Sequence, residues 1–184
     1  MAIMEAIETV YIEEDYVSSI EFTSIPSTYE YLELSLSCKS SYGAAGAGTN
    51  PYEAFWMRFG TGGGAVDSGT NYHNPQLWWN GTSEGGGNSV NNTGIYCNMA
   101  SENKWFSEVY HSSQVQIFDY ANTNKNAATW EWLGGYPDAG VYQEVAGGIW
   151  DNTGAVDRIQ VIPYTGSQVI MRGSTVSLYG IKSS

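Results

Sequence analysis

Two adjacent tryptophans, Trp78 and Trp79, and a second pair one residue apart, Trp130 and Trp132, are the side chains whose type and spacing speak most clearly of chemistry. Tyr72 lies just ahead of the first pair. An indole offers a broad apolar face and a single N–H donor, which suits stacking on a sugar ring or anchoring a protein interface. Side chains alternate along an extended segment, so Trp78 and Trp79 cannot both point inward, while Trp130 and Trp132 share a face. One indole of the adjacent pair is the leading candidate for an exposed anchor. Tyr72, Trp78, Trp79, Trp130 and Trp132 form the candidate contact set, for a protein interface or a glycan, and core packing is the competing expectation for each.

Catalytic readings fare worse. Gly60-Thr61-Gly62-Gly63-Gly64 and Gly85-Gly86-Gly87 invite comparison with phosphate loops, but neither ends in the lysine and helix that such chemistry needs. His73 and His111 are the only histidines and are expected to be polar surface residues, because a zinc site needs three or four clustered ligands. A nucleophilic triad would need a Ser or Cys poised by one of them, and no nucleophile elbow is recognised. The acids are scattered, with nothing to mark two as facing one another in the manner of a glycosidase pair. Glu13-Glu14-Asp15 is the densest acidic cluster and could join Asp67, Asp138, Asp151 or Asp157 around Ca²⁺, but the default is a solvated turn. The expectation is a protein that is not an enzyme and holds no metal or cofactor.

Composition narrows the partners. The chain has 184 residues, 7 Lys and Arg against 19 Asp and Glu, and a formal net charge of -12. Phosphate binding needs a basic patch, so nucleic acid is excluded as a partner and anionic membranes are disfavoured. No stretch is long and apolar enough to span a bilayer. The start, Met1 to Glu5, lacks the basic region and long apolar run of a secretory leader, which implies synthesis in a cytoplasm. Cys38 and Cys97 are far apart among small or apolar neighbours and are expected to be buried free thiols.

The elements that must position these groups are strands. Leu32, Leu34, Leu36 and Cys38 alternate with Glu33, Ser35 and Ser37, the signature of a strand with one buried and one wet face. Similar segments occur at Thr9–Ile12, Ser19–Phe22, Ala54–Phe59, Val115–Tyr120, Ala128–Leu133, Val141–Trp150, Ile159–Ile162 and Thr175–Ile181. The Ala128 and Val141 segments are expected to pair, as are the last two. About eight to ten strands joined by turn-rich segments predict an all-β antiparallel sandwich, a single domain over 1–184. Residues 39–52, 60–75, 81–94 and 121–127 read as long Gly/Ser/Asn-rich loops that gather at the ends of the sandwich and form its contact surface. Residues 1–8 either pair within their own sheet or extend as an arm to a neighbouring subunit.

The closing strand Gly173-Ser174-Thr175-Val176-Ser177-Leu178-Tyr179-Gly180-Ile181 resembles the C-terminal strand of a β-rich domain found in structural proteins of tailed bacteriophages. Ser24 to Leu34 is similar to that family's early turn and strand, Asp119 to Lys125 to its central strand and loop, and Arg158 to Val161 to its penultimate strand. The resemblance implies a jelly-roll sandwich on the virion exterior, assembled in the host cytoplasm. A chain that is only the sandwich suits a head decoration or cement protein, bound to the major capsid protein or other virion proteins as a homo-oligomer, with a trimer suiting lattice three-fold positions. The alternative is a receptor-binding or glycan-binding module of a tail or capsid appendage.

Overall fold

The computed structural model describes residues 3–41, 52–101, 110–135, 142–166 and 168–182. Among these residues the secondary structure is fourteen strands and no helix. In chain order they are β1 (Ile3–Tyr11), β2 (Tyr16–Val17), β3 (Ile20–Thr23), β4 (Tyr31–Cys38), β5 (Tyr52–Gly60), β6 (Tyr72–Trp79) and β7 (Glu84–Asn92). There follow β8 (Ile95–Ser101), β9 (His111–Phe118), β10 (Ala128–Gly135), β11 (Tyr142–Trp150), β12 (Arg158–Pro163), β13 (Ile170–Met171) and β14 (Thr175–Lys182). All pairings are antiparallel, in an eight-stranded sheet ordered β1-β14-β4-β9-β10-β11-β6-β7, a four-stranded sheet ordered β3-β12-β5-β8, and a short β13-β2 ribbon.

Alternation fixes which face each sheet buries. Leu32, Leu34 and Leu36 of β4, Val115 and Ile117 of β9, and Val176 and Leu178 of β14 turn one way. Phe22 of β3, Phe55, Met57 and Phe59 of β5, and Ile159 and Val161 of β12 meet them in one core. Each such side chain contributes roughly 1.5–3 kcal/mol when fully buried, so the two inner faces hold the sheets together. Cys38 and Cys97 lie in this core as free thiols. Burial pushes the Cys38 thiol up to about 12 and raises Cys97 well above its ordinary range, so both are held protonated and inert.

The connectivity separates a frame from an extension. Take β1, β3, β4, β5, β8, β9, β12 and β14 as first to eighth. The small sheet then runs second-seventh-fourth-fifth, and the large sheet begins first-eighth-third-sixth. The rest of the large sheet arrives as two inserted strand pairs. β6 and β7 come between β5 and β8, β10 and β11 come between β9 and β12, and they lie side by side beyond β9.

Several expectations change. β12 pairs with β3 and β5 while β14 pairs with β1 and β4, so the last two long strands lie in opposite sheets and form no hairpin. Of the two readings of residues 1–8, the described part takes the first: β1 pairs with β14 from Ile3 to Tyr11, so residues 3–8 belong to the chain's own sheet and not to an arm. The 81–94 segment is mostly the edge strand β7, not a loop. Its glycines are compatible with pairing because β6 covers them: a Cβ at Gly85 would collide with the Trp78 indole, and one at Gly86 would lie 2.8 Å from Leu77 Cδ2. Of 39–52, residues 42–51 fall outside the described residues.

Candidate functional site

The loop expected over 60–75 ends at Tyr72, where β6 begins, and its conformation depends on one carboxylate. Asp67 accepts hydrogen bonds from the Gly69 N–H at 2.8 Å, the Asn71 amide at 2.8 Å and the Trp150 indole N–H at 2.9 Å. Burial opposes its ionised form, but these donors and the nearby Arg58 guanidinium prevail and hold its carboxyl below the usual range. Tyr72 is part of this brace. It is fully buried, donates to the Asp67 carbonyl at 2.8 Å and accepts from the Phe59 N–H at 3.0 Å. Its ring stacks with that of Trp150 at 6.3 Å. Burial, the largest cause, pushes the phenol well above its ordinary range. Tyr72 therefore belongs to the core and leaves the candidate contact set.

The adjacent indoles divide as alternation requires. Trp78 turns to the inner side and stacks on Tyr142, with centroids 6.3 Å apart and planes 15° from parallel. Trp79 turns outward and is 44% exposed. On β10 both indoles face out, Trp130 at 50% and Trp132 at 58% exposure.

Register joins these outward residues into one field. Trp132 lies opposite Gln114 on β9 and Val145 on β11, and Val145 lies opposite Leu77 on β6. Trp130 lies opposite Gln116 and Gly147. Ala128 lies between Phe118 and Ile149 in the next row, where the Phe118 ring meets Tyr31 at 5.5 Å. On the other flank Gln143 lies between Gly134 and Trp79. Leu77, Trp79, Phe118, Trp130, Trp132 and Ile149 are thus all exposed on the outer face of the large sheet. An antiparallel sheet with one wet face ordinarily alternates apolar-in with polar-out, so this cluster breaks the rule. The strands that carry or flank it, β4, β9, β10, β11, β6 and β7, contain no Lys or Arg, and Glu33 and Glu84 are acids at its margins. The field lies on a sheet face carried largely by the inserted strands, not on the loop ends where the contact surface was expected.

The inner side of the same strands holds a feature that sequence reasoning missed. Glu131, between the two outward indoles, must point inward; it lies opposite Val115 and Ala146 and is 3% exposed. Glu144, which pairs across to Leu133 and Trp78, is 4% exposed and its Oε2 accepts a 3.0 Å bond from the Tyr142 hydroxyl. Burial raises both carboxyls, and Glu144 raises Glu131 further, so the two are held toward their neutral forms. Both are almost wholly closed off from solvent.

The remaining chemical candidates resolve locally. Gly81-Thr82-Ser83-Glu84-Gly85 does have the spacing of a nucleophile elbow. The structure makes it the β6–β7 turn, where Asn80 Oδ1 accepts from the backbone N–H groups of Thr82 and Ser83 at 3.2 and 2.8 Å. An elbow needs a strand-to-helix turn, so the spacing carries no catalytic meaning here. His111 is 2% exposed and not the surface residue expected, because its position on β9 alternates with outward Ser112. Glu13, Glu14 and Asp15 form an exposed turn, and no group of three or more potential metal ligands occurs among the described residues. No protein-family model matches the chain, and no curated protein matches it.

Proposed function

We propose that this chain is a structural protein on the exterior of a tailed-phage particle, a decoration or cement protein that adheres to the major capsid protein or its neighbours. The observation that carries the reading is the apolar field, free of Lys and Arg, on the outer face of the inserted strands. A scaffold closed by its own core has no folding reason to display two half-exposed indoles on the outer face of one strand. Aromatic anchors of this kind dominate the energy of protein interfaces. The frame order first-eighth-third-sixth against second-seventh-fourth-fifth supports the jelly-roll form that the resemblance implies, with the adhesive field grafted on as an extension. A stable contact needs about 800 Å² on each partner, and repetition over a lattice multiplies the effect of each modest contact.

A second reading draws on Gln114, Gln116 and Gln143, neutral amides in the same rows as the indoles. Stacking on indoles with amide hydrogen bonds to hydroxyls is the chemistry of glycan recognition, and an appendage module would use it on host saccharide. Purified particles separate the two. A cement protein is present at a copy number tied to shell symmetry, and its removal lowers the temperature at which the shell opens. Particles that lack the chain, or open at the same temperature without it, would contradict the cement reading. Retention on a host polysaccharide would then favour the second.

A further inference from the structure

We infer that the chain pairs with a second copy of itself through the β7 edge, extending the large sheet across a two-fold axis. A sheet edge is a template for further pairing, and natural proteins guard against it with charge, bulges, brevity or cover. The other edges are guarded. β1 carries Glu5 and Glu8, a register break between Ala6 and Glu8, and a 2.9 Å ion pair from Glu5 to Lys182. β3 has four residues. β8 is covered by side chains of the large sheet: Asn74 Oδ1 accepts the Tyr96 N–H at 3.0 Å, and Ser113 Oγ donates to the Cys97 carbonyl at 2.6 Å. β7 differs. From Glu84 to Ser89 it pairs regularly with β6, with one charge and neither Lys nor Pro. Only beyond Ser89 does its register shift, at Asn91 with φ of 58°.

Register selects the partner. Residues opposite one another in an antiparallel pair share a face, so a two-fold normal to the sheet pairs residues of like parity. An axis through Gly86 sets Gly85 opposite Gly87 of the partner subunit and Glu84 opposite Asn88 of the partner subunit. The sole charge of the segment then meets an amide that can donate to it, on the outer face, and never meets its own copy. One step further along, an axis through Gly87 sets Glu84 opposite Val90 of the partner subunit, inside the irregular stretch. Because β1 is guarded, β7 has no second open edge of the large sheet to join among the described residues, and the assembly closes as a dimer where a head-to-tail pairing would run on as a fibre. The two outer apolar fields then become one. This two-fold stands in place of the three-fold arrangement that the resemblance implies.

The test is sedimentation of the whole chain over the micromolar range, at low and moderate salt. The wild type is expected to be a dimer that tightens as salt screens its charge. Asn88→Glu places like charges opposite at both symmetric positions and should weaken the dimer roughly tenfold, whereas Asn88→Lys should tighten it by a similar factor. Asn88 is an exposed edge site, so circular dichroism should be unchanged in each variant. A monomeric wild type throughout, or a dimer indifferent to both substitutions, would overturn the inference.

Discussion

Replacing Glu131 by Gln should remove a large part of the protein's loss of stability with rising pH. In the fold this carboxyl sits in the core at 3% exposure, and its Oε2 has no hydrogen-bond partner among the described residues. Burial first, and Glu144 second, raise it well above an ordinary 4.5, so the native state holds the proton. The unfolded chain surrenders that proton near the ordinary value. The stabilising effect of protonation is therefore complete at pH below about 4.5 and is lost as pH rises toward the native pKa. Across that window, unfolding releases one proton and becomes about tenfold easier per pH unit for each such carboxyl. Each pH unit within that window is worth ~1.4 kcal/mol, a sizeable share of the 5–15 kcal/mol typical of a domain. Glutamine has no proton to lose, so the gap between variant and wild type should widen as pH rises above the ordinary carboxylate range, in urea titrations at pH 5, 6 and 7. Glu144, also raised by burial, would leave its own slope behind. Parallel stability curves for the two proteins across this range would refute the argument.

Tyr72→Phe should cost about 1–3 kcal/mol by strand-buried desolvation, because the Phe59 N–H loses its acceptor in the core; thermal melting measures it. Gly85→Val should cost about 1–3 kcal/mol by driving the Trp78 indole off Tyr142, whereas Gly87→Ala, with nothing within 4 Å of a new Cβ, should change stability by less than about 0.5 kcal/mol. Below the ordinary carboxylate range the Asp67 brace should loosen. Its depressed pKa contributes stability present above the unfolded value and lost as pH falls through the native one, and Asp67→Asn should flatten that acid limb in a denaturation series.

Much of the frame was legible in the chain because its strands obey a period of two. β4 reads directly from Leu32, Leu34, Leu36 and Cys38, and the β10–β11 pairing follows from two neighbouring apolar runs. What misled was composition. Glycines in 85–87 resemble a loop, but a glycine can also be the residue that lets a cross-strand indole lie over the backbone, and nothing local distinguishes the two. The swap of the last strands between sheets is likewise a property of the whole topology. Within the candidate site, one inference was available and incomplete. If Trp130 and Trp132 share the outer face, Glu131 must point into the core, and the same logic applied to Gln143 and Val145 turns Glu144 inward. Tyr72 misled because aromatic type says nothing of direction until the first residue of β6 is known.

On the proposed reading, the outer face of the inserted strands is what adheres. Trp130 and Trp132 are 50% and 58% exposed, so their removal should leave the fold intact. Half of each ~200 Å² indole, at ~25 cal/mol/Å², is worth ~2–3 kcal/mol per residue on burial. Occupancy of the chain on assembled particles, measured for Trp130→Ala/Trp132→Ala against wild type with melting temperatures matched, is the direct test. Near-complete loss of bound protein is expected; undiminished occupancy would contradict adhesion through this face.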